Sequence, residues 1–247
     1  MRRLLPGPAA DVTPEEAYAD HPDAVGRPGV RVNMVASLDG AITIDGRSGG
    51  LGGDADLRVF RALRALADVV MVAAGTLRDE GYGPPTLPDE VQAARRARGQ
   101  ARLPRIAVVT RSLGLDWGSR FFAEAPEDAR PIVVTCAAAP DDARRRAAEV
   151  ADVVVAGDDR VDLRAVLARL GADGVASVLC EGGPSLNRSL AAAGLFDELC
   201  LTVSPLLVGG DGPQMLAGDP PRAGGVPMRL HAAYEEDGFL FLRHRAR

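Results

Sequence analysis

The chain has 247 residues, 47% of them hydrophobic, and a formal net charge of −5, as expected for a globular protein with one large α/β domain or two smaller ones. The acidic balance argues against nucleic acid or an anionic membrane as a partner, and without an apolar run of roughly 18 residues or a signal-peptide core we expect a cytoplasmic protein. All 29 basic residues are arginine, which excludes catalysis by a lysine side chain. The three histidines lie near the chain ends, which argues against a histidine-ligated metal. If the protein is an enzyme, we therefore expect a bound cofactor to supply the reactive group.

Apolar runs and helical periodicities alternate along most of the chain. Residues 1–29 are rich in proline and glycine and predict an N-terminal arm without a core of its own, which leaves residues 30–247 as a single domain. The predicted strands are Val30–Ala36, Val69–Ala73, Arg105–Thr110, Pro131–Thr135, Asp152–Ala156 and Ser177–Cys180. The predicted helices are a segment after an Asp54 N-cap, a solvated arginine-rich helix in Asp89–Arg102, Asp141–Val150 and Asp162–Leu170. This order predicts βαβ units in a mostly parallel sheet with helices on both faces.

The C-terminal part of the chain departs from this alternation. Glu198–Leu206 predicts one further strand, and Met228–Tyr234 with Gly238–Arg243 predicts an antiparallel hairpin that turns at "EEDG". We therefore predict an α/β domain with a mixed, mostly parallel sheet flanked by helices and a C-terminal antiparallel hairpin. The three cysteines, expected to be buried reduced thiols, are Cys136, Cys180 and Cys200.

The stretch "VLCEGGPSLNRSL" (178–190) is the first candidate site. A buried strand ends in Glu181 and two glycines, and a helix is predicted to start at Pro184 or Ser185. Such a turn aims free backbone N–H groups at one point, and the helix N-terminus favours a phosphate. A tight strand–helix turn without a ligand explains the glycines equally well. Glu181 favours the binding site, because open α/β sheets bind ligands at the carboxyl ends of their strands.

Two other strand ends repeat this arrangement. After Val69–Ala73 come Gly75 and Thr76, which indicate either a ligand contact or a turn with a hydroxyl cap. After the next strand come Thr110, Arg111 and Ser112, which suit the 2′-phosphate of NADP, although a solvated arginine is the alternative. The stretch "GLGGDA" (50–55) matches a dinucleotide fingerprint but follows a loop, so we interpret it as a mobile loop before a helix.

The stretch "VASLDGAI" (35–42) completes a familiar combination, although alone it is compatible with a plain turn. The SLDG segment, the Gly75–Thr76 strand end, and EGGPSL followed by "AAGLFDELCLTVSPLLVGG" together resemble the riboflavin-pathway pyrimidine reductases. These belong to the group with a dihydrofolate-reductase-like fold. The resemblance extends from about Val30 to the C-terminus, and the EGGPSL part is its most specific element.

The resemblance implies an NADPH-dependent reduction of the ribosyl group of a phosphoribosylamino-pyrimidine to a ribityl chain, with hydride delivered to C1′. It also implies a homodimer paired through "CLTVSPLLV" (200–208), whose apolar character exceeds one-sided alternation. The implied cofactor contacts are Val35, Gly75, Thr76, Thr110, Arg111, Ser112, Gly182, Gly183, Pro184, Ser185, Leu186 and Asn187. The implied substrate contacts are Asp39, Ser48, Arg64 and Glu181, and the two carboxylates Asp39 and Glu181 are the implied catalytic residues.

Two positions depart from the family pattern. Asn33 stands where these reductases often have a lysine, and "DEGYGPPTLPDE" (79–90) replaces their acidic-proline-leucine-arginine segment. Both changes touch the implied substrate-phosphate side, and we expect the companion deamination to be done by another protein. Three hypotheses follow: a pyrimidine reductase of the riboflavin type, a reductase of another heterocycle such as a dihydropteridine or dihydrofolate, and a non-catalytic NADP-binding protein.

Overall fold

The computed structural model describes residues 1–7, 9–218, 220–221 and 223–247. The strands are β1 (Arg2–Leu5), β2 (Ala9–Asp11), β3 (Gly29–Ala36), β4 (Val69–Ala73), β5 (Arg105–Val109), β6 (Ile132–Thr135), β7 (Asp152–Val155), β8 (Ser177–Cys180), β9 (Glu198–Val203), β10 (Met228–Glu236) and β11 (Phe239–Ala246). The helices are α1 (Pro14–Tyr18), α2 (Asp54–Leu66), α3 (Ala74–Asp79), α4 (Asp89–Ala97), α5 (Arg120–Ala123), α6 (Asp141–Val150), α7 (Leu163–Ala172) and α8 (Pro184–Ala192). None of the described helices is long and apolar enough to cross a membrane.

These strands form one sheet in the order β2-β1-β10-β11-β9-β3-β8-β4-β5-β6-β7. From β9 to β7 every neighbouring pair is parallel. The pairs from β9 back to β2 are antiparallel, and among them β10 and β11 form the predicted hairpin. The predicted mixed, mostly parallel sheet with a C-terminal antiparallel hairpin is therefore confirmed.

The alternation of side chains along the parallel strands divides the core into two layers. In β4, Val70 and Val72 belong to the layer that contains residues of α2, whereas Val69 and Met71 belong to the layer that contains α7 and α8. Both faces of such a strand are buried, which explains its continuous apolar sequence. The three cysteines are free and buried, as predicted.

Two details of the predicted helices are wrong. Asp54 is the first helical residue of α2, and the N-cap is Gly53. Gly53 has an extended backbone, and no described side chain makes a capping hydrogen bond there. In α4, Arg95 is fully buried rather than solvated. Its guanidinium donates to the carbonyl oxygens of Ala65 and Ala67, where α2 ends, because a cation there satisfies carbonyls that the helix leaves free. Burial lowers the pKa of Arg95 to about 10.

The first 29 residues carry more structure than the arm that the sequence predicts. β1 extends the sheet beside β10, and α1 packs on the core with Tyr18 only 1% exposed. The hydroxyl of Tyr234 donates to the carbonyl of Ala17 over 3.1 Å. Two strands of four and three residues are too short to show a periodicity, so their pairing partners create them.

A buried ionic cluster fixes this N-terminal segment to the sheet. The Glu198 carboxylate, fully buried on β9, accepts from Arg31 Nε over 2.6 Å and from Arg243 Nε over 2.9 Å. The same two arginines also donate to the carbonyl of Asp20, just beyond α1. Burial raises the pKa of Glu198, but the charges of the two arginines outweigh it and the net pKa is lowered. The cluster therefore stabilises the folded state at pH values above the ordinary pKa of a glutamate. This contribution is lost as the pH falls through the lowered pKa of Glu198.

We expect Glu198→Gln to lower the free energy of unfolding by about 3–5 kcal/mol, because it leaves two buried guanidinium groups short of negative charge. Urea unfolding followed by circular dichroism measures this loss. Glu124→Gln is the matched control, because Glu124 pairs with Arg120 on the surface and its loss should leave the urea midpoint unchanged. Equal midpoints for the two variants would contradict the role given to the buried cluster.

Candidate functional site

A cleft of ≈ 980 Å³ opens where the carboxyl ends of β3, β4 and β8 meet. Its wall is completed by one face of α2 and by the loop that follows α3. The sequence-predicted residues in its lining are Val35, Ser48, Arg64, Thr76, Glu181, Gly183 and Pro184. Residues that lie far apart in the chain therefore meet at the edge of the sheet where open α/β folds bind ligands.

Glu181, just beyond β8, is held by two neighbours. Nε and Nη2 of Arg64 donate to its two carboxylate oxygens over 2.5 and 2.6 Å, and the Tyr82 hydroxyl donates over 2.7 Å. The Arg64 guanidinium lies over the rings of Phe60, at 4.3 Å, and of Tyr82, at 5.2 Å. A bidentate pair enclosed by two aromatic rings fixes both the position and the direction of the carboxylate.

The charge of Glu181 keeps its two hydrogen-bond donors, Arg64 and Tyr82, protonated. Burial raises the pKa of Tyr82, and the negative charge of Glu181 raises it further. Burial lowers the pKa of Arg64, but its hydrogen bonds and charge interaction with Glu181 outweigh burial and the net pKa is raised. Tyr82 is not among the sequence-predicted site residues, and no local signal points to it, since its partner Glu181 lies 99 positions away.

Asp39, the other predicted catalytic carboxylate, lies apart from the residues that line the cleft. It accepts hydrogen bonds from Ser37 Oγ over 2.5 Å and from the backbone N–H groups of Val208 and Gly209 over 3.2 and 2.6 Å. These hydrogen bonds lower the pKa of Asp39 to about 2, and the one from Ser37 has the largest effect. Its carboxylate connects the loop after β3 to the loop after β9.

Ser48 has a carboxylate partner of its own. Its backbone N–H and its hydroxyl both donate to Glu80 Oε1 over 2.9 Å, and both residues line the cleft. The contact joins the glycine-rich loop before α2 to the end of α3. Glu80, like Tyr82, comes from the segment in which this chain departs from the family pattern.

Asp56, another carboxylate that lines the cleft, is absent from the sequence-predicted site. It lies in the first turn of α2, and burial raises its pKa, a rise that a hydrogen bond with Thr202 partly offsets. Among the described residues it forms no ion pair. The three residues Asp56, Phe60 and Arg64 are spaced by four positions and so share one face of the helix. This spacing is visible in the sequence, but it indicates a site only when α2 is known to line the cleft.

The turn after β8 requires glycine for two reasons, the backbone conformation and the lack of space for a side chain. Gly182 and Gly183 have φ angles of +90° and +88°, and a Cβ added to Gly183 would lie 2.5 Å from the Cβ of Ala73. The fold therefore requires Gly183 even without a ligand. The helix α8 starts at Pro184, as predicted, and no described side chain caps its N-terminus.

The remaining predicted cofactor residues are distributed around this edge. Ser185 is exposed at the start of α8, whereas the side chains of Leu186 and Asn187 are buried below it, and Asn187 Nδ2 donates to the carbonyl of Met215 over 3.2 Å. Gly75 lies in the first turn of α3, where an added Cβ would meet no described atom within 4 Å.

The Thr110–Ser112 turn follows β5, which neighbours β4 in the sheet. Thr110 is buried and its Oγ1 accepts from the N–H of Leu113 over 3.1 Å, whereas Arg111 and Ser112 are exposed. None of the three lines the cleft. They therefore lie on the same edge as Gly75 and Thr76 but one strand further out.

The fold and the site define a class of protein: the chain belongs to the family of the RibD C-terminal domain, whose model matches residues 28–236. It is 33% identical over 195 residues to the 2,5-diamino-6-ribosylamino-4(3H)-pyrimidinone 5′-phosphate reductase of Archaeoglobus fulgidus, a match that covers 78% of this chain and 88% of that protein. The enzyme of the same name from Methanothermobacter thermautotrophicus is 30% identical over 184 residues, or 74% of this chain and 81% of the relative.

Solved structures agree with this family. A pyrimidine reductase-like protein from Corynebacterium diphtheriae superposes with a TM-score of 0.85 at 27% identity, covering 96% of this chain and 99% of that one. The riboflavin biosynthesis reductase Rib7 of Saccharomyces cerevisiae shares the fold with a TM-score of 0.67 at 17% identity, over 93% and 94% of the two chains. The predicted dihydrofolate-reductase-like architecture is confirmed.

We expect Gly183→Ala to lower the free energy of unfolding by about 3 kcal/mol, because the new Cβ is strained at positive φ and also collides with Ala73. Gly174→Ala is the matched control: its φ is +87°, but no described atom lies within 4 Å of the added Cβ. Strain alone should cost about 1 kcal/mol there. Urea unfolding of both variants measures the difference, and equal losses would show that the contact with Ala73 relaxes freely.

Proposed function

We propose that the chain is an NADPH-dependent reductase of a ribosylaminopyrimidine 5′-phosphate, which delivers hydride to C1′ and converts the ribosyl group to a ribityl chain. The observation that carries the proposal is the Glu181 carboxylate, fixed by Arg64 and Tyr82 beside the glycine turn at the carboxyl edge of the sheet. The named relatives favour this hypothesis over a reductase of another heterocycle and over a non-catalytic binding protein.

A reductase family of riboflavin biosynthesis implies a nicotinamide cofactor, and the residues at this edge fit one. The uncapped N-terminus of α8 and the hydroxyl of Thr76 suit a pyrophosphate, because both offer hydrogen-bond donors to an anion. The open space at Gly75 leaves the backbone accessible to a ligand. Arg111 and Ser112 suit the 2′-phosphate that distinguishes NADPH from NADH. When bound, NADPH supplies the hydride.

The chain's own contribution to the reaction is mostly positioning. Arg64 and Tyr82 hold the Glu181 carboxylate in one direction, so that its free lone pairs can accept from a substrate N–H group or a water molecule. Asp39 acts at a distance from the cleft: by joining the loops after β3 and β9 it keeps the end of β3 in place. We assign Glu181 a catalytic role and Asp39 a positioning role.

The test is NADPH oxidation, followed by the loss of its absorbance, with 2,5-diamino-6-ribosylamino-4(3H)-pyrimidinone 5′-phosphate as substrate. We expect steady turnover with this compound and none with dihydrofolate. Glu181→Gln should lower kcat at least about tenfold while NADPH binding is retained, since one positioned carboxylate contributes on that scale or above. Turnover with dihydrofolate alone, or with neither compound, would refute the proposed function.

The choice of cofactor depends on Arg111 in this proposal. Arg111→Ala should weaken NADPH binding about 10- to 100-fold, the scale of one charge-assisted hydrogen bond, and leave NADH binding nearly unchanged. Calorimetric titration with each cofactor measures both affinities. Arg145→Ala, an exposed arginine of α6, is the control and should affect neither. An equal loss for both cofactors would contradict the assignment of Arg111.

We also propose that the chain forms a homodimer through the segment that contains β9. Where this strand ends, Leu38, Leu206 and Leu207 are 61%, 41% and 77% exposed, and the N–H of Leu38 donates to the carbonyl of Leu206. Apolar side chains grouped in this way are typical of an interface. Sedimentation analysis at micromolar concentration should give a dimer, and Leu207→Asp should shift it towards monomer. A monomeric wild type would refute the proposal.

A further inference from the structure

The cleft carries more negative than positive charge. In the described part of the chain, its lining contains two guanidinium groups, those of Arg64 and Arg120. The carboxylates that line it are Asp54, Asp56, Asp79, Glu80 and Glu181. The substrate of the proposed function has a 5′-phosphate, which carries about two negative charges near neutral pH. A phosphate that enters an acidic cleft needs a cation beside it, so the two guanidinium groups are the candidates for its binding.

The charge of Arg64 is already compensated by the protein. Its Nε and Nη2 donate to the carboxylate of Glu181 over 2.5 and 2.6 Å, and the Glu181 side chain is only 3% exposed. A phosphate that drew Arg64 away would leave this carboxylate buried without a cation, at a large cost in free energy. Arg64 therefore presents a neutral pair, and no free positive charge, to a ligand.

Arg120 is held much less firmly than Arg64. Its Nε and Nη2 donate to the two carboxylate oxygens of Glu124 over 2.9 Å each, and the two side chains are 78% and 50% exposed. An exposed pair of this kind contributes little to stability, because water solvates both charges when they separate. The oxygens of a phosphate match the fork of a guanidinium and carry more charge than one carboxylate. Arg120 can therefore exchange Glu124 for a phosphate at little cost.

The backbone that carries Arg120 is anchored in the core. Phe121 and Phe122, the next two residues, are buried, and their rings meet edge to face with centroids 4.8 Å apart. The ring of Trp117 lies against Phe122, with centroids 5.0 Å apart. These aromatic contacts hold α5 in place beside the cleft, while the side chain of Arg120 is exposed and can turn. A charged group on a fixed backbone is suited to reach a ligand from the wall of a cleft.

A phosphate in this cleft has two sources, the substrate and NADPH. In the proposed function the phosphates of NADPH have other partners, which are Thr76, the N-terminus of α8 and the turn that contains Arg111. Arg111 does not line the cleft, whereas Arg120 lines it together with Glu181, the residue assigned to the substrate. Residues 79–90, which include the loop that completes the cleft wall, contain no basic residue that could replace Arg120. These observations favour the substrate as the source.

We propose that Arg120 binds the 5′-phosphate of the substrate, at the expense of its pair with Glu124, and so makes the enzyme select the nucleotide over the nucleoside. The inference rests on the proposed function, because it concerns the substrate of the same cleft. Arg120 contributes to substrate binding and takes no part in the transfer of hydride. Glu124 competes with the phosphate for the same N–H donors and so weakens the binding of the phosphate.

The experiment compares 2,5-diamino-6-ribosylamino-4(3H)-pyrimidinone 5′-phosphate with the same compound lacking the phosphate. NADPH oxidation gives kcat and KM for each compound, and calorimetric titration without cofactor gives the two affinities. The wild type should favour the phosphorylated compound at least about tenfold. Arg120→Ala should raise KM for that compound at least about tenfold at nearly constant kcat, and should leave KM for the nucleoside unchanged. Arg120→Lys should retain part of the preference, and Glu124→Gln should increase it.

Arg146→Ala is the matched control, because Arg146 forms the same kind of exposed pair with Asp142 on α6 and does not line the cleft. It should keep the wild-type values. An Arg120→Ala variant that keeps the preference for the phosphorylated compound, or a wild type without this preference, would overturn the inference and leave the proposed function standing if NADPH is oxidised. A loss of NADPH affinity in Arg120→Ala with the preference intact would also overturn it, since Arg120 would then serve the cofactor. Arg120-dependent binding of the phosphorylated compound without NADPH oxidation would refute the proposed function and support the role of Arg120.

Discussion

The ion pair between Arg64 and Glu181 determines the form of the cleft. It joins the face of α2 to the end of β8 across 117 positions of the chain, and it brings Tyr82 and Phe60 against the same guanidinium. Breaking a pair of this kind leaves a buried carboxylate without compensation, which is more costly than losing a surface pair. The pair therefore links two walls of the cleft, α2 and the end of β8, beside the apolar core that packs the helix on the sheet.

The carboxylates in and around the cleft differ in the groups that donate hydrogen bonds to them. Glu181 has a guanidinium and a phenol, Glu80 has the backbone and hydroxyl of Ser48, and Asp39 has two backbone N–H groups and a serine. Each of these three accepts hydrogen bonds from the protein that fix its position, and Glu181 keeps free lone pairs beyond them. Asp56, in the first turn of α2, forms no ion pair among the described residues, and burial raises its pKa.

The two glycines after β8 show why a turn and an anion site are hard to distinguish in a sequence. Positive φ angles at Gly182 and Gly183 let the chain leave the strand and enter α8 directly, and the second glycine also avoids Ala73. The same backbone path leaves the helix N-terminus open towards the cleft. The geometry that the fold requires is also the geometry that a phosphate needs, so the same two glycines serve the turn with or without a ligand.

The sequence by itself determined the parallel strands, the hairpin, the start of α8 and the family, because each depends on local periodicity or on a motif of adjacent residues. Only the tertiary structure decided which side chains meet. The short strands β1 and β2 form through their pairing, Arg95 is buried because α2 ends above it, and Tyr82 and Asp56 enter the cleft through the packing of α2 and the loop after α3. These contacts join residues far apart in the chain, and their energies come from burial and charge compensation in the folded state, which no local pattern contains.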